Sequence, residues 1–470
     1  MNTSTPKQTL RIYWQYTKRH PKWLAFIAVL LPTLTLSEYI LIPFFTAQIL
    51  DKLATGASQL SQFYSLFWII IALEIYAVIF WRVFVSSVWK LEISVMREMR
   101  QDVFKHLMNE SSRFYSGRFG GALVSQAVKF VGAFERLFDT FVFNIATLIL
   151  NYVFIIIILF PKAPQYVIAL LIITLIFAFL MARAKKSERP LVTAEAQADT
   201  LATAHLADSM TNMMTIKTFA NEPLEASLYG QKTNDISDRS LAYMKLSMRH
   251  EYLLAGLSRS LNVIAIVVAV WVVLKYKTPL GTMFLIVNYT GNLLRRMWDL
   301  SGIFKNINRV FGDAHEMTEI LSQEPSIKDP DNPEPAGAKK GDIKIIDMCY
   351  YYPDQPEKPL FINFNLHIYP GEKVGLVGHS GSGKTTLTKL LLRLMDVPEG
   401  HILIDGQDIS KMRQADIRKN IAYVPQEPLL FHRSIRENIR YGRLDATDEE
   451  IEEAARMAHA DEFIKELPQG

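Results

Sequence analysis

Six long apolar stretches in the first 300 residues constrain the fold more than any other feature of this sequence. A helix needs about 20 residues to cross the hydrocarbon core of a bilayer. The stretches of that length are Trp23–Phe45, Phe63–Val85, Phe138–Phe160, Tyr166–Ala184, Leu257–Lys275 and Leu280–Trp298. The sixth is the weakest, because glycine, asparagine and the pair Arg295-Arg296 interrupt it. One buried core helix can imitate a membrane span, but six together exclude a soluble fold and predict an all-α polytopic membrane domain.

The distribution of Lys and Arg between these stretches predicts their orientation. Five basic residues precede the first stretch, and the connections 86–137 and 185–256 carry eight each. The short connection 46–62 contains only Lys52. Because basic connections stay on the cytoplasmic side, the N-terminus, both long connections and everything after the sixth stretch are predicted to be cytoplasmic. The protein is expected to be an integral membrane protein of a bacterial plasma membrane.

Residues 1–22 are expected to form an interfacial helix that lies on the membrane. Leu10, Tyr13, Trp14 and Thr17 share one face of such a helix, which is the pattern of a surface-bound amphipathic segment. The alternative is a frayed polar tail. A cleaved signal peptide is excluded, because the first apolar stretch exceeds the usual length of about 7–15 residues and no small-residue cleavage site follows it.

Composition supports a division into membrane and soluble parts. The net charge of +4 is too small to require a nucleic-acid partner, and the single cysteine, Cys349, excludes an intrachain disulfide. Leu91–His106 and Glu195–Asp208 consist of good helix formers, so membrane helices two to five are expected to continue into the cytoplasm. Prolines among charges at 324–340 predict a semi-rigid linker. A soluble α/β domain is expected to follow at 341–470.

A phosphate-binding loop is predicted at Gly378–Thr385, whose sequence GHSGSGKT fits G-x-x-x-x-G-K-[ST]. We expect Lys373–Val377 before it to be a buried strand and Thr386–Met395 after it to be an apolar helix. The N-terminus of that helix would add positive charge to the site. An ordinary surface loop rich in Gly and Ser is the alternative. The residues predicted to bind a nucleoside triphosphate are Gly378, His379, Ser380, Gly381, Ser382, Gly383, Lys384, Thr385 and Thr386.

Further motifs flank this loop, and with the six spans they resemble a half-transporter of the ATP-binding cassette (ABC) exporter type. Tyr352-Pro353 resembles the family's adenine-stacking position, and Gly400–Gly406 the hairpin after the loop's helix. Tyr423–Glu427 resembles the Q-loop, and Ile435–Gly442 the helical segment beyond it. The resemblance covers the whole chain. It implies a partial P-loop α/β ATP-binding domain at 341–470, preceded by six transmembrane helices at 23–323 with long cytoplasmic extensions.

The resemblance also implies roles for individual residues. Lys384 would place a positive charge on the β- and γ-phosphates of ATP, and Thr385 and Gln426 would hold Mg²⁺. Gln426 would also touch the attacking water, and Tyr352 would stack on adenine. Short helices near 111–121 and 211–219 would connect the membrane helices to the ATP-binding domain. The implied partners are the lipid bilayer, an unidentified transported substrate and a second half-transporter, identical or different.

The family pattern departs from this sequence at its end. By resemblance, the LSGGQ-type signature, the second metal-binding aspartate, the catalytic glutamate and the switch histidine would follow Gly470. A chain that is truncated before the signature is therefore expected to show no ATPase activity above background. Two other function classes remain open. One is a membrane protein that nucleotide gates or regulates without pumping. The other, a membrane-anchored P-loop kinase or GTPase, is disfavoured by Tyr352, Gln426 and the lack of an NKxD-type loop.

Charged residues inside apolar stretches are candidates for the transport path. Glu38, Glu74 and Arg82 fall within the first two stretches, where a charge costs a few kcal/mol. Glu74 and Arg82 are eight residues apart, close to one helix face. The alternative is that these side chains lie near the ends of their spans and extend to the water. The sequence does not name the substrate.

Overall fold

A computed structural model describes residues 4–468, except 117, 119, 162, 325, 336, 338, 339 and 427. The chain divides into two compact units. The first contains residues 1–109 and 118–324, and the second contains residues 110–117 and 325–470. The boundary at Glu324 falls inside the predicted linker, although Pro325 and three later linker residues lie outside the described part of the chain.

Long helices account for the first unit. They are α1 Ser4–Thr17, α2 Pro21–Leu36, α3 Ile42–Ala54, α4 Tyr64–Met108, α6 Gly120–Asp139, α7 Thr147–Leu159, α8 Pro164–Thr211, α9 Met213–Phe219, α10 Glu222–Tyr276 and α11 Leu280–Ser322. Helix α5, Ser112–Ser116, belongs to the second unit. Two π-helical segments, Ser37–Leu41 and Thr140–Ala146, join α2 to α3 and α6 to α7 without a break. A 3₁₀ turn at Leu60–Phe63 precedes α4.

Five of the six predicted spans are long and apolar enough to cross a membrane in the described structure. They lie within the helical stretches 21–54, 60–108, 120–159, 164–211 and 222–276. The sixth, α11, does not meet that criterion of length and composition, because its polar and charged residues lower its hydropathy. It is nevertheless a helix of 43 residues. Helices α4, α8 and α10, which contain spans two, four and five, are 45, 48 and 55 residues long and extend well beyond the length of a span. That these extensions are cytoplasmic stays a prediction.

Helix α11 is part of the core that these spans share. Ile286 and Tyr289 of α11 are fully buried against Ile40, Ile155 and Ala269 of neighbouring helices. The Tyr289 hydroxyl donates a hydrogen bond of 2.9 Å to the Ile40 carbonyl, inside the first π-helical segment. That segment has a displaced backbone, so it can offer a carbonyl to a side chain of another helix. Packing therefore places α11 in the bundle although its composition is only moderately apolar.

Helix α1 packs against the helical bundle by a face that only partly matches the predicted one. Tyr13 is buried and donates a hydrogen bond of 2.7 Å to the carbonyl of Phe130 in α6. Thr9 is buried and lies 2.9 Å, hydroxyl to hydroxyl, from Thr318 of α11. Leu10 and Trp14 are exposed. The predicted apolar face was therefore wrong as a single surface, because its tyrosine packs on protein while its leucine and tryptophan face outward.

A four-stranded antiparallel sheet forms the centre of the second unit. Its strands, in the spatial order β2-β1-β3-β4, are β1 Ile343–Tyr351, β2 Pro359–Ile368, β3 Glu399–Ile404 and β4 Gln407–Asp408. Strands β3 and β4 form the predicted hairpin. The helices are α12 Lys384–Leu391, α13 Gln414–Lys419, α14 Ile435–Arg440, α15 Asp448–Met457 and α16 Asp461–Glu466, with a 3₁₀ turn at Ile409–Lys411. One face of the sheet packs on α12 through Ile345, Met348 and Leu390.

The strand predicted at Lys373–Val377 is wrong. These residues are exposed and pair with no other strand of the described structure. An apolar run becomes a buried strand only when neighbours supply its hydrogen bonds and cover its faces, and β1 is already paired with β2 and β3 on its two edges. The helix predicted at Thr386–Met395 is present but begins at Lys384 and ends at Leu391.

Candidate nucleotide-binding site

The glycine loop leads into helix α12 through a left-handed backbone turn. Gly383 is the N-cap of α12 and has φ 93° and ψ 2°, a conformation that costs other residues energy. A Cβ at Gly383 would lie 2.9 Å from the Phe361 ring and 3.2 Å from Leu360. The position therefore requires glycine for both its backbone angle and its packing against β2.

The N-terminus of α12 offers backbone N–H groups to a ligand. Its first helical hydrogen bond runs from the Leu387 N–H to the Gly383 carbonyl, at 2.9 Å. The N–H groups of the four residues from Gly383 to Thr386 therefore have no partner inside the helix, and no side chain caps them. Such an uncapped end attracts phosphate through its N–H groups and its partial positive charge. The geometry fits the predicted phosphate-binding loop.

Lys384 lies over this loop. Its ammonium group donates hydrogen bonds to the carbonyls of Gly378 at 2.8 Å and His379 at 2.9 Å. The Ser382 hydroxyl is 3.3 Å from the same nitrogen, and the Ser382 N–H closes a turn onto the His379 carbonyl at 3.2 Å. The lysine is thus the only cation that the described loop holds over its own centre, where it can exchange carbonyl contacts for phosphate oxygens.

Three consecutive tyrosines at the edge of the site differ in their exposure and their contacts. The Tyr352 ring is exposed, and its hydroxyl lies 2.6 Å from the hydroxyl of Thr386 in the first turn of α12. Tyr350 is buried, and its hydroxyl donates to the Met395 sulfur at 3.1 Å. Burial raises the pKa of the Tyr350 phenol. Tyr351 is only partly exposed. Of the three, Tyr352 has the exposed ring beside the phosphate loop that stacking on a base requires.

The two predicted metal-binding side chains are placed differently. Thr385 is exposed at the first turn of α12, where a hydroxyl oxygen can reach a cation held by phosphate groups. Gln426 is exposed in an irregular segment. No hydrogen bond joins Gln426 to the loop in the described residues, and Glu427 lies outside them. The structure therefore assembles Thr385 with Lys384 and Tyr352, whereas Gln426 stays a sequence-based prediction.

A contact that sequence reasoning missed connects a loop of the membrane domain to the site. Residues 110–117 belong to the same compact unit as the nucleotide domain. Within that unit, Arg113 of α5 makes an ion pair of 2.8 Å with Asp354, two residues after Tyr352. The predicted short helices near 111–121 and 211–219 are present as α5 and α9. Nothing in the local sequence marks Arg113 or Asp354, because the pair is 241 residues apart.

Comparison with known proteins supports the fold and the family. The model of the ABC transporter transmembrane region matches residues 25–297. The ABC transporter model, which describes the ATP-binding domain, matches residues 361–470. The chain belongs to the ABC transporter family. It is therefore an integral membrane protein with an ATP-binding domain, and the expected nucleotide is ATP.

Individual relatives support this assignment over most of the chain. An ABC transporter ATP-binding protein of Haemophilus influenzae is 30% identical over 98% of this chain and 76% of its own length. A relative from Bacillus subtilis, YfiC, is 26% identical over 99% of this chain and 76% of its own. A bacterial Atm1-family ABC exporter with ATP bound has a TM-score of 0.79, with 23% identity over 96% of this chain and 79% of that one. The last likeness confirms the exporter fold.

The charged candidates of the membrane unit are all exposed. Glu38 lies in the π-helical segment Ser37–Leu41, and Glu74 and Arg82 lie on α4. Neither Glu74 nor Arg82 makes an ion pair with another described residue. Beside Glu38 in the same segment, the Tyr39 ring lies under the Arg296 guanidinium of α11, at 5.0 Å from the ring centre. The role of Glu38 and Glu74 in the transport path stays a prediction.

Proposed function

We propose that the protein is a half-transporter that uses ATP to export a substrate across the membrane as part of a dimer. The observation that carries the proposal is the ion pair between Arg113 and Asp354. It joins a loop of the membrane domain to the segment that presents Tyr352 to the nucleotide. A protein that used ATP only for soluble chemistry would have no reason to hold this loop at its nucleotide site.

Each residue of the loop has a distinct task in binding ATP. The N–H groups at the start of α12 receive the phosphate oxygens, and Lys384 neutralises charge on the β- and γ-phosphates. Thr385 and Gln426 would hold Mg²⁺, which offsets further negative charge on the phosphates. Tyr352 stacks on the base, and its hydroxyl contact with Thr386 fixes the orientation of the ring. Gln426 is also the side chain that would respond to the γ-phosphate.

The dimer follows from the composition of one chain. With six predicted spans and one phosphate loop, a chain carries half of the sites that an exporter with two nucleotides needs. Closure of two nucleotide domains on ATP would move α5 through Arg113. The long cytoplasmic helices would then carry this movement to the spans in an alternating-access cycle. The second chain can be identical or different.

Transport is tested with inside-out membrane vesicles from cells that express the gene. The vesicles are incubated with the cells' own soluble extract, with and without ATP, and their contents are compared by mass spectrometry. At least one compound should accumulate with ATP and should not accumulate in vesicles with Lys384→Ala. The dimer should show a protein mass near twice that of the expressed chain in native mass spectrometry if the two chains are identical.

The alternative function gives a different result in the same assay. A membrane protein that nucleotide gates or regulates would bind ATP through the same loop. Its vesicles would equilibrate a compound without accumulating it, and the Lys384→Ala variant would change only the rate. ATP binding without any ATP-dependent accumulation would therefore contradict the export proposal.

A further inference from the structure

Helix α1 has a face that the rest of the protein leaves uncovered. Its buried side contains Thr9 and Tyr13, whose hydroxyl groups bond to α11 and α6. With 3.6 residues per turn, Lys7, Arg11 and Lys18 fall within an arc of about 40° on the opposite side. All three are exposed. The protein therefore presents three cations in one stripe, directed away from the bundle.

Apolar side chains accompany these cations on one flank only. Leu10 and Trp14 lie between the basic stripe and the buried face, and they are 45% and 60% exposed. Gln8 and Gln15 occupy the other flank and are also exposed. A helix with one apolar flank and a neighbouring row of Lys and Arg is suited to the boundary between acyl chains and lipid headgroups.

The outward stripe carries a net positive charge in the described structure. Lys7, Arg11 and Lys18 make no ion pair with any residue that the structure describes. The first 37 residues contain no Asp or Glu. Arg19 behaves differently, because it pairs with Glu98 at 3.3 Å and Asp102 at 3.6 Å on α4. The protein thus neutralises the cation beside α4 and leaves the outward stripe to an external anion.

The helix is held rigidly enough to present a fixed surface. The Tyr13 and Thr9 contacts attach its middle to two different helices. The chain just after its C-terminal end is attached to α4 by Arg19, which pairs with Glu98 and Asp102. The first span begins immediately afterwards, with Trp23 under the ammonium group of Lys90 at 5.0 Å from the ring centre. A stripe so close to the start of a span lies within reach of lipid headgroups.

We propose that the outward stripe of α1, formed by Lys7, Arg11 and Lys18 with Leu10 and Trp14, binds the headgroups of anionic phospholipids in the cytoplasmic leaflet. Three cations attract an anionic leaflet, with each supplying about a fivefold preference. Leu10 and Trp14 insert at the acyl boundary and keep the cations at the level of the phosphates. The stripe thereby selects the lipid that surrounds the first span.

Trp14 is a native reporter for this proposal. The purified chain is reconstituted in vesicles of equal parts phosphatidylcholine and phosphatidylglycerol, with brominated acyl chains on only one of the two lipids. Bromine quenches tryptophan fluorescence on contact. The fluorescence of Trp14 is obtained by subtracting the signal of the Trp14→Phe form from that of the same protein with Trp14. We expect brominated phosphatidylglycerol to quench Trp14 fluorescence at least about five times as strongly as brominated phosphatidylcholine does. At 1 M salt, where the Debye length is about 3 Å, the preference should disappear.

Charge variants separate the stripe from the rest of the basic surface. Lys7→Gln, Arg11→Gln and Lys18→Gln together should bring the preference close to one, while quenching by phosphatidylcholine persists. The matched control removes three cations from α10 by Lys232→Gln, Lys245→Gln and Arg249→Gln, and should keep the preference. Equal quenching by both lipids in the unmodified protein would overturn the proposal. So would absence of quenching by either lipid, which would place the stripe in water or against another protein chain.

Discussion

Replacement of Gly383 by alanine is the sharpest test of the phosphate loop. Alanine at φ 93° costs about 1–2 kcal/mol of folding free energy, because its Cβ crowds the backbone in the left-handed region. The new methyl group would also lie 2.9 Å from the Phe361 ring, and overpacking of this kind costs about 1–3 kcal/mol. The loop must move to relieve both strains. Since its N–H groups then leave the phosphate position, the dissociation constant for ATP should rise at least about tenfold, or 1.4 kcal/mol.

Two measurements read this effect directly. Titration with a fluorescent ATP analogue gives the affinity, and hydrogen exchange of peptides that cover 378–391 gives the local stability of the loop and α12. Tryptophan fluorescence would not respond, because all seven tryptophans lie between Trp14 and Trp298. Gly406→Ala is the matched control. Gly406 has φ 80° with no atom within 4 Å of an added Cβ. The Gly406→Ala variant should therefore lose stability in the β3–β4 turn and keep its affinity for ATP.

A double variant tests the packing part of the argument. Phe361→Ala removes the ring that the new methyl group would meet, so Gly383→Ala should cost about 1 kcal/mol less in that background, within the range of coupling between residues in contact. Strictly additive effects would show that the ring contact is irrelevant. ATP affinity equal to that of the unmodified protein in Gly383→Ala would refute the reasoning, since it would mean that the left-handed turn does not position the phosphate donors.

Three further outcomes are expected. Lys384→Ala should lower ATP affinity at least about tenfold, and Lys384→Arg should not restore it, because a planar guanidinium does not fit the carbonyls that hold the compact ammonium group. Tyr352→Ala should weaken ATP binding by about 5- to 100-fold through lost stacking. Tyr352→Phe loses only the hydroxyl contact that orients the ring and should weaken binding less, and neither change should alter the affinity for inorganic triphosphate, which has no base. Charge reversal of either Arg113 or Asp354 should lower the local stability of α5 by about 0.2–1 kcal/mol, the contribution of an exposed ion pair, and should speed its hydrogen exchange accordingly. The double variant Arg113→Asp with Asp354→Arg should return the exchange rate to that of the unmodified protein.

Much of the membrane unit was predictable because hydropathy acts over 20 residues at a time. The five most apolar spans are helices at the predicted places. Helix α11 shows the limit of prediction from hydropathy. Its Tyr289 is buried by packing and by a hydrogen bond to Ile40, and neither interaction can be read from average hydropathy. Helix α1 shows the same limit, because a helical pattern cannot tell whether Tyr13 faces lipid or a neighbouring helix.

The predicted strand at 373–377 failed for a different physical reason. Its composition favours a strand, and Val377 is 96% exposed. The run around Val424 is similar, with that side chain 89% exposed. Local propensity describes how well residues suit an extended backbone, but a strand also requires a hydrogen-bonding neighbour. Both edges of β1 are occupied by β2 and β3, and a local run of residues does not reveal which distant segments will be its neighbours.

The residues of the candidate site also differ in whether local sequence or a distant contact identifies them. Lys384 and Thr385 could be predicted from sequence because a phosphate-binding loop requires them at fixed spacing, and Tyr352 because its position resembles one of the family. Arg113 and Asp354 could not, since an ion pair requires only opposite charges and any of many residues could supply them. Yet this pair joins α5 to the segment that follows Tyr352. The residues predicted to bind ATP can therefore be read from a motif, whereas a distant ion pair such as Arg113–Asp354 can be found only from the folded chain.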